Sequence, residues 1–264
     1  MPRKLRVAIL LLLHAPWARA PAAAQGKLTG KALYDALYST GWGKDTRVSQ
    51  GRSLRNTIIQ MHDRRGAQVN SVLDVGCSHG DVVASLWERG IVASGVDIAD
   101  GAAALATKLH KHPSGPAGCN NEGQPCFQAA SATALPFSSQ SFDAISSSDV
   151  LEHLDPSEVR AATAEFARVA RHFLVLKIAD RNEHSTLKGS RAGVGEFRGQ
   201  TFESILNRQG FVGRLPDQLH TVVRGTDFWH AEFSRVGFAL NQTIDVGGKW
   251  ACCAYVLHRV RSSS

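Results

Sequence analysis

The stretch Val72-Leu73-Asp74-Val75-Gly76-Cys77-Ser78-His79-Gly80, with Gly95-Val96-Asp97 ending the next apolar run, decides the fold. It reads as a strand, a glycine-punctuated turn, a helix, a second strand and an acid, the arrangement that holds a nucleotide-like cofactor at the edge of a parallel sheet. Gly76 permits a sharp turn beneath a ligand, Gly80 lets the next helix begin close to it, and the backbone N–H groups there face the ligand's polar end. Asp97 is placed to accept hydrogen bonds from two ribose hydroxyls, and an acid about 20 residues after a glycine turn is more specific than the turn alone. The same residues fit a rival pattern: Gly76-Cys77-Ser78-His79-Gly80 matches the G-x-S-x-G turn that presents a nucleophilic serine in hydrolases. That turn follows several strands in a hydrolase sheet, whereas only helical patterns precede Ser71 here and no His-Gly-Gly segment lies upstream. Dinucleotide-dependent oxidoreduction is disfavoured because the loop lacks G-x-G-x-x-G spacing.

Toward the N-terminus, Leu33, Leu37 and Tyr38, then Leu54, Ile58, Ile59 and Met61, recur at helical intervals, so two helices are expected within 28–66, divided by Gly41-Trp42-Gly43. Such helices either cover a ligand opening or serve as a structural cap. Toward the C-terminus, a helix is expected over 81–89 with Val82, Val83 and Leu86 inward and Gly90 as its stop, then a strand over 91–96 and a helix over 102–109. A Pro/Gly/Asn-rich loop over 112–126 leads to strands over 127–130 and 142–147. Asp155 as N-cap, Pro156 at the first helical position and Glu158 at the third signal a helix with Val159, Ala162, Phe166, Val169 and Phe173 along one face; a buried strand over 173–178 follows.

This alternation implies an α/β fold: a Rossmann-like, doubly wound, mostly parallel sheet with ligands at the strand carboxyl ends. Beyond Ala179 it gives way to a polar, Gly-rich segment, a helix over 202–208 and a helix carrying Phe228, Trp229, Phe233 and Val236. The last apolar runs, 239–246 and 251–260 around Gly247-Gly248, read as a terminal antiparallel hairpin that completes the sheet. The expected organisation is a presequence over 1–24 and a single domain over 25–264. Within that domain 28–66 are helices, 70–180 the cofactor core, 181–237 the acceptor side and 238–260 the closing hairpin.

At 264 residues and 43% hydrophobic composition, the chain is long enough for one full α/β core. Its 30 basic and 23 acidic side chains give a charge of +7, but Arg3, Lys4, Arg6 and Arg19 lie in the first 24 residues. Without them the balance is 26 to 23, or +3, which argues against a nucleic-acid partner. A basic start at 2–6, an apolar run at 7–13 and small residues at 18–25 have the order of a secretory signal peptide, with cleavage expected near Ala23 or Ala24. An organelle transit peptide is the alternative, since the segment carries Arg and no acid. The apolar run is far shorter than the roughly 20 residues of a spanning helix, so no stable membrane span is expected.

Cys119 and Cys126 bracket the turn-forming Asn120-Asn121-Glu122-Gly123-Gln124-Pro125. In an oxidising compartment a disulfide there would contribute roughly 2 to 3 kcal/mol; two free thiols in a solvated loop are the alternative. Cys252 and Cys253 are expected in the core on opposite faces of a strand. No Cys and His cluster has zinc spacing, and no metal is expected.

Leu135-Pro136-Phe137, Ser141-Phe142-Asp143 and Val150-Leu151-Glu152-His153-Leu154 follow Asp97 in that order. With the glycine loop, these motifs make the chain resemble the class I S-adenosylmethionine-dependent methyltransferases, in particular the group with a DVGCGxG loop and an LPF…SFD…VLEHL block. The resemblance covers residues 70–180. It implies S-adenosylmethionine as cofactor, with Asp74, Gly76, Cys77, Ser78 and Gly80 at the methionine end, Asp97 at the ribose and Ile98 against the adenine. Where relatives offer an acid to the adenine amino group this chain has Ser131-Ala132, so that contact is expected to be weaker or water-mediated. Ser78 replaces a common glycine, which is tolerable if its φ is negative. Ser147, Ser148 and Asp149 fall where relatives line the methyl-transfer site.

Leu219-His220-Thr221-Val222-Val223 looks like the segment some relatives place over the acceptor pocket. His220 there, and His153 at the mouth of the fourth strand, are candidate bases for an acceptor hydroxyl; a structural role is the alternative for each. The resemblance thus implies methyl transfer to a small-molecule or glycan acceptor, with the histidines favouring oxygen. The alternatives are a cofactor-binding partner subunit without turnover and, remotely, a serine hydrolase using Ser78.

Overall fold

The computed structural model describes residues 27–41, 51–64, 69–179, 196–197, 200–201, 207–208, 210, 219–244 and 254–260. Two helices, α1 (Gly30–Ser39) and α2 (Arg52–Asp63), precede the sheet, as the helical spacing of their leucines predicts. The alternating core follows: β1 (Ser71–Val75), α3 (Asp81–Trp87), β2 (Val92–Asp97), α4 (Asp100–Leu109), β3 (Phe127–Ala129), β4 (Phe142–Ser148), α5 (Val159–Val169) and β5 (Ala170–Lys177). After a two-stranded pair, β6 (Glu196–Phe197) and β7 (Gln200–Thr201), come α6 (Thr226–Arg235), β8 (Phe238–Thr243) and β9 (Ala254–Arg259). Seven strands form one sheet in the order β3-β2-β1-β4-β5-β9-β8. The first five pair in parallel; β9 runs antiparallel to β5, and β8 to β9. That is the doubly wound sheet with its closing hairpin.

Strand alternation explains the two layers. Leu73, Ile145, Leu174 and Leu257 point to the face covered by α5 and α6, where they pack with Phe166, Trp229 and Phe233. Val72, Ala144, Val175 and Val256 point to the other face, against Leu54 and Ile58 of α2 and Val83 and Leu86 of α3. One expectation fails here: Phe173 lies in β5 and packs on the α2 and α3 face rather than on α5. No loop separates α5 from β5, so the period changes from 3.6 to 2 at Ala170 without a break.

Some motif residues prove architectural. Asp143 accepts from the N–H groups of Asn70 and Ser71 (2.9 and 3.0 Å) and pairs with Arg171, which ties the base of β4 to β1 and β5. Glu165 and Arg168 of α5 bind the backbone of Leu135 and Phe137, holding the Leu-Pro-Phe turn on that helix. The Asp155 and Glu158 capping pair forms, but as a turn just ahead of α5: Asp155 N–H donates to Glu158 Oε2 (3.0 Å) and Ser157 N–H to Asp155 Oδ1 (2.8 Å). Cys119 and Cys126 are joined in a disulfide, which resolves the open alternative. Asn120 inside that loop donates to Ser94 Oγ of β2 (3.0 Å) and accepts from the N–H groups of Glu122 and Gln124.

The presequence, Trp42, Cys252, Cys253 and the Gly247-Gly248 turn lie outside the described residues, as does most of the 202–208 helix. No helix among the described residues is long and apolar enough to cross a membrane.

Candidate active site

At the carboxyl end of β1 the chain turns under Gly76, whose N–H donates to Val96 O of β2 (2.8 Å), as does that of Cys77 (2.9 Å). Gly76 has φ +81°, and a Cβ there would lie 2.2 Å from Val150 Cγ2; only glycine meets both conditions. Gly80, also at φ +81°, closes the loop as α3 departs. Ser78 corrects an expectation. Its φ is +50°, not negative, so a serine occupies a left-handed position at a cost of about 1–2 kcal/mol. Its N–H donates to Asp97 Oδ2 (3.0 Å), while Asp97 Oδ1 accepts from Ala99 N–H (3.0 Å). Both carboxylate oxygens are thereby oriented, and each keeps lone-pair capacity for another donor.

Asp74 and Asp97 are buried together at this edge. Burial pushes Asp74 up to about 7; a hydrogen bond from Ser146 opposes the rise and the charge of Asp97 adds to it. Asp97 is raised too, by burial, against hydrogen bonds from Ala99, Ser78 and Tyr38. Among the described residues no cation is prominent in the surroundings of either acid. Two neighbouring buried carboxyls of this kind suit a ligand that brings positive charge and hydroxyl donors. The ammonium and ribose of S-adenosylmethionine supply those groups, so the donor chemistry fits that cofactor.

β4 delivers the other half of the site. Ser147 Oγ donates to Val75 O (2.9 Å) and Ser148 Oγ to Asp149 Oδ2 (2.8 Å); Asp149, at φ +57°, pairs with Lys177. A tight turn, Leu151–His153, follows. Glu152 is fully buried: its Oε1 accepts from Ala179 N–H (2.9 Å), and its Oε2 has no hydrogen-bond partner among the described residues. Burial, reinforced by the charge of Asp149, pushes Glu152 up to about 8. His153 Nδ1 lies 3.0 Å from Leu219 O. A carbonyl only accepts, so Nδ1 carries the hydrogen and the neutral ring's lone pair sits on Nε2. Burial lowers the His153 pKa, favouring that neutral form.

Residues 219–222 are fastened to this turn, because the N–H groups of Thr221 and Val222 both donate to Glu152 O (2.8 and 3.0 Å). The fastening brings the His220 ring to 4.5 Å from that of His153, nearly perpendicular to it. α1 closes over both halves of the site: Leu33 and Leu37 pack on Leu219, the Tyr34 ring stands 6.1 Å from His153 and the Tyr38 ring 5.8 Å from His79. Tyr34 titrates above the usual range, through burial and then the charges of Glu152 and Asp97.

Residues 72–172 match the family model described as a methyltransferase domain, on a sheet of the strand order given above. The matched segment is thus similar to a methyltransferase domain, and the sheet has the class I S-adenosylmethionine-dependent methyltransferase fold. Over 130 residues it is 29% identical to the ubiquinone biosynthesis O-methyltransferase of Pseudomonas fluorescens, a match covering 48% of this chain and 53% of that protein. The chain therefore spans about half the length of the curated relatives it matches. In fold it is similar to magnesium protoporphyrin IX methyltransferase from Synechocystis with bound S-adenosylmethionine (TM-score 0.55, 16% identity, 90% of this chain and 99% of that one). It is also similar to the Burkholderia thailandensis 1,6-didemethyltoxoflavin-N1-methyltransferase (TM-score 0.51, 15% identity, 89% and 93%).

In this fold Asp74, Gly76, Cys77, Ser78, Gly80 and Asp97 form one edge of the sheet, and the half-buried Ile98 continues it. Ser131 and Ala132 follow β3 beside Asp97, whose carbonyl accepts from Ala130 N–H (2.8 Å). Ser131 Oγ serves its own turn, accepting from Thr133 N–H (3.2 Å) and lying 2.8 Å from Thr133 Oγ1. Ser148 and Asp149 sit at the mouth of β4, with His153 and His220 side by side beyond them. Ser78 Oγ is 3.1 Å from His79 Nδ1, a contact a hydrolase could use, but the loop follows the first strand of a sheet with the methyltransferase strand order. Sequence reasoning missed Glu152, Tyr34 and Tyr38. A signal existed for the first: an acid directly before a candidate histidine, inside the apolar run 150–154.

Proposed function

We propose that this enzyme methylates an oxygen of a small-molecule or glycan acceptor, with Asp74, the 76–80 loop and Asp97 holding the donor and the His153 and His220 corner receiving the acceptor. The observation that carries this reading is the pairing of two histidines at the mouth of β4, under the same α1 cover as the cofactor acids. When bound, S-adenosylmethionine supplies a methyl group already activated on a positively charged sulfur, so the protein chiefly has to align the acceptor and handle its proton. Asp74 meets the donor's ammonium. Asp97, oriented by the N–H groups of Ser78 and Ala99, takes the ribose hydroxyls. His153 Nε2, its lone pair fixed by the Leu219 carbonyl, accepts the hydrogen bond of an acceptor hydroxyl. Tyr34 and Tyr38 keep bulk water off both halves. The O-methyltransferase relatives favour oxygen over nitrogen or carbon.

The signal-like order of residues 1–24 and the Cys119–Cys126 disulfide support residence in the secretory pathway. Outside residues 1–24 the sequence carries 26 basic and 23 acidic side chains, a balance that does not favour a nucleic-acid partner. Incubation of the purified enzyme with methyl-labelled cofactor and a secretory-pathway extract tests the activity. Label in a low-mass or glycan product, sensitive to His220→Ala, is expected; cofactor binding with no labelled product would instead indicate a non-catalytic partner subunit.

A further inference from the structure

We propose that Glu152, His153 and His220 bind a divalent transition-metal ion, of which Zn²⁺ is the simplest, and that the ion receives the oxygen of the methyl acceptor. Each residue offers one ligand atom, and these atoms lie within 4.8 Å of one another. Donors about 2.1 Å from a tetrahedral ion stand roughly 3.4 Å apart, so small side-chain torsions complete the shell. Spacing along the chain conceals the set, because His220 is brought to the turn by the hydrogen bonds of Thr221 and Val222 to Glu152 O.

Three independent features point to a cation. Glu152 Oε2 is buried and has no partner among the described residues, although Oε1 is held by Ala179 N–H; a buried carboxylate oxygen left so is costly unless a cation meets it. His153 donates Nδ1–H to the Leu219 carbonyl, the arrangement that fixes a metal-binding imidazole with its other nitrogen bare. Lys177, whose charge reaches both Glu152 and His153, is already paired with Asp149, so its charge is offset. Two imidazoles and one carboxylate suit a first-row divalent ion rather than Mg²⁺ or Ca²⁺, and three protein ligands leave a coordination position open.

The open position lies at the mouth of β4, where the proposed function places the acceptor, and the inference rests on that reading for its role. A hydroxyl bound there loses its proton to solvent more readily, as water does on such ions. The two histidines would then receive the acceptor through the ion rather than remove its proton themselves.

The test is a calorimetric titration of chelator-stripped enzyme with Zn²⁺, with Co²⁺ spectra as a second readout and S-adenosylhomocysteine binding measured on the same samples. One equivalent of metal per chain and visible Co²⁺ bands of low coordination number are expected. Glu152→Gln, His220→Ala and the bulkier His220→Gln should each weaken metal binding by about tenfold or more while S-adenosylhomocysteine still binds, which shows the variants folded. S-adenosylhomocysteine binding with no metal uptake overturns the metal site alone, as does metal uptake that survives all three variants. Metal uptake lost in the variants, with no S-adenosylhomocysteine binding in the parent enzyme, supports the ion while refuting the methyltransferase role.

Discussion

Asp74→Asn should change how stability depends on pH, in a direction set by burial. Asp74 is raised from 3.8 to about 7, so between those values the folded enzyme holds a proton that the unfolded chain has released. Stability from this group is present below pH 3.8 and lost as pH rises through about 7. The full cost of ionising it in the ligand-free fold is about 4 kcal/mol, and about 2–3 kcal/mol of that falls between pH 5 and pH 8. Asparagine keeps the shape, and its side-chain oxygen can still accept from Ser146. Urea unfolding of both proteins at pH 5 and pH 8 reads the effect as a difference of differences, because Glu152 contributes equally to parent and variant and the smaller Asp97 coupling is removed together with the Asp74 charge. The variant should lose about 2–3 kcal/mol less than the parent across that interval. Identical pH dependence in the two proteins would show that Asp74 is not desolvated and that the cofactor edge is built otherwise.

Gly76→Ala should cost about 2–5 kcal/mol, from a left-handed φ and a Cβ driven into Val150; Val150→Ala should recover the steric part, and a loss below about 1 kcal/mol measured by urea would contradict the turn geometry. Ser78→Gly returns a left-handed position to glycine, so calorimetric S-adenosylhomocysteine affinity should stay within about tenfold, whereas a nucleophilic Ser78 would react with a fluorophosphonate probe that the glycine variant escapes. Reducing Cys119–Cys126 should lower stability by about 2–3 kcal/mol, read as a drop in Tm, without abolishing cofactor binding; an unchanged Tm would mean the Asn120 network alone holds the loop.

The fold was legible where one force dominates. Ser71–Val75 is a strand by an apolar run bounded by turns, and the terminal hairpin is set by two apolar runs around a glycine pair. Boundaries were less legible where local and tertiary preferences meet, as at Ala170, where α5 passes into β5 with no turn residue to mark it. Within the site, the glycines and Asp97 could be read because backbone geometry restricts what they can be. The sign of φ at Ser78 could not, since it is imposed by the loop's hydrogen bonds to Val96 and Asp97 rather than by the residue itself. Nor could the surroundings of Glu152, which come from Ala179, Thr221 and Val222, all distant in sequence. Long-range backbone pairing, not local propensity, built the acceptor corner.

The most direct test of the account is calorimetric binding of S-adenosylhomocysteine to the purified enzyme and to Asp97→Ala. A carboxylate accepting ribose hydroxyls is worth about 1.5–3 kcal/mol, so the substitution should weaken binding by about 10- to 100-fold. Affinity unchanged by the substitution, or no binding by the parent enzyme, would contradict the placement of the methyl donor at the ends of β1 and β2.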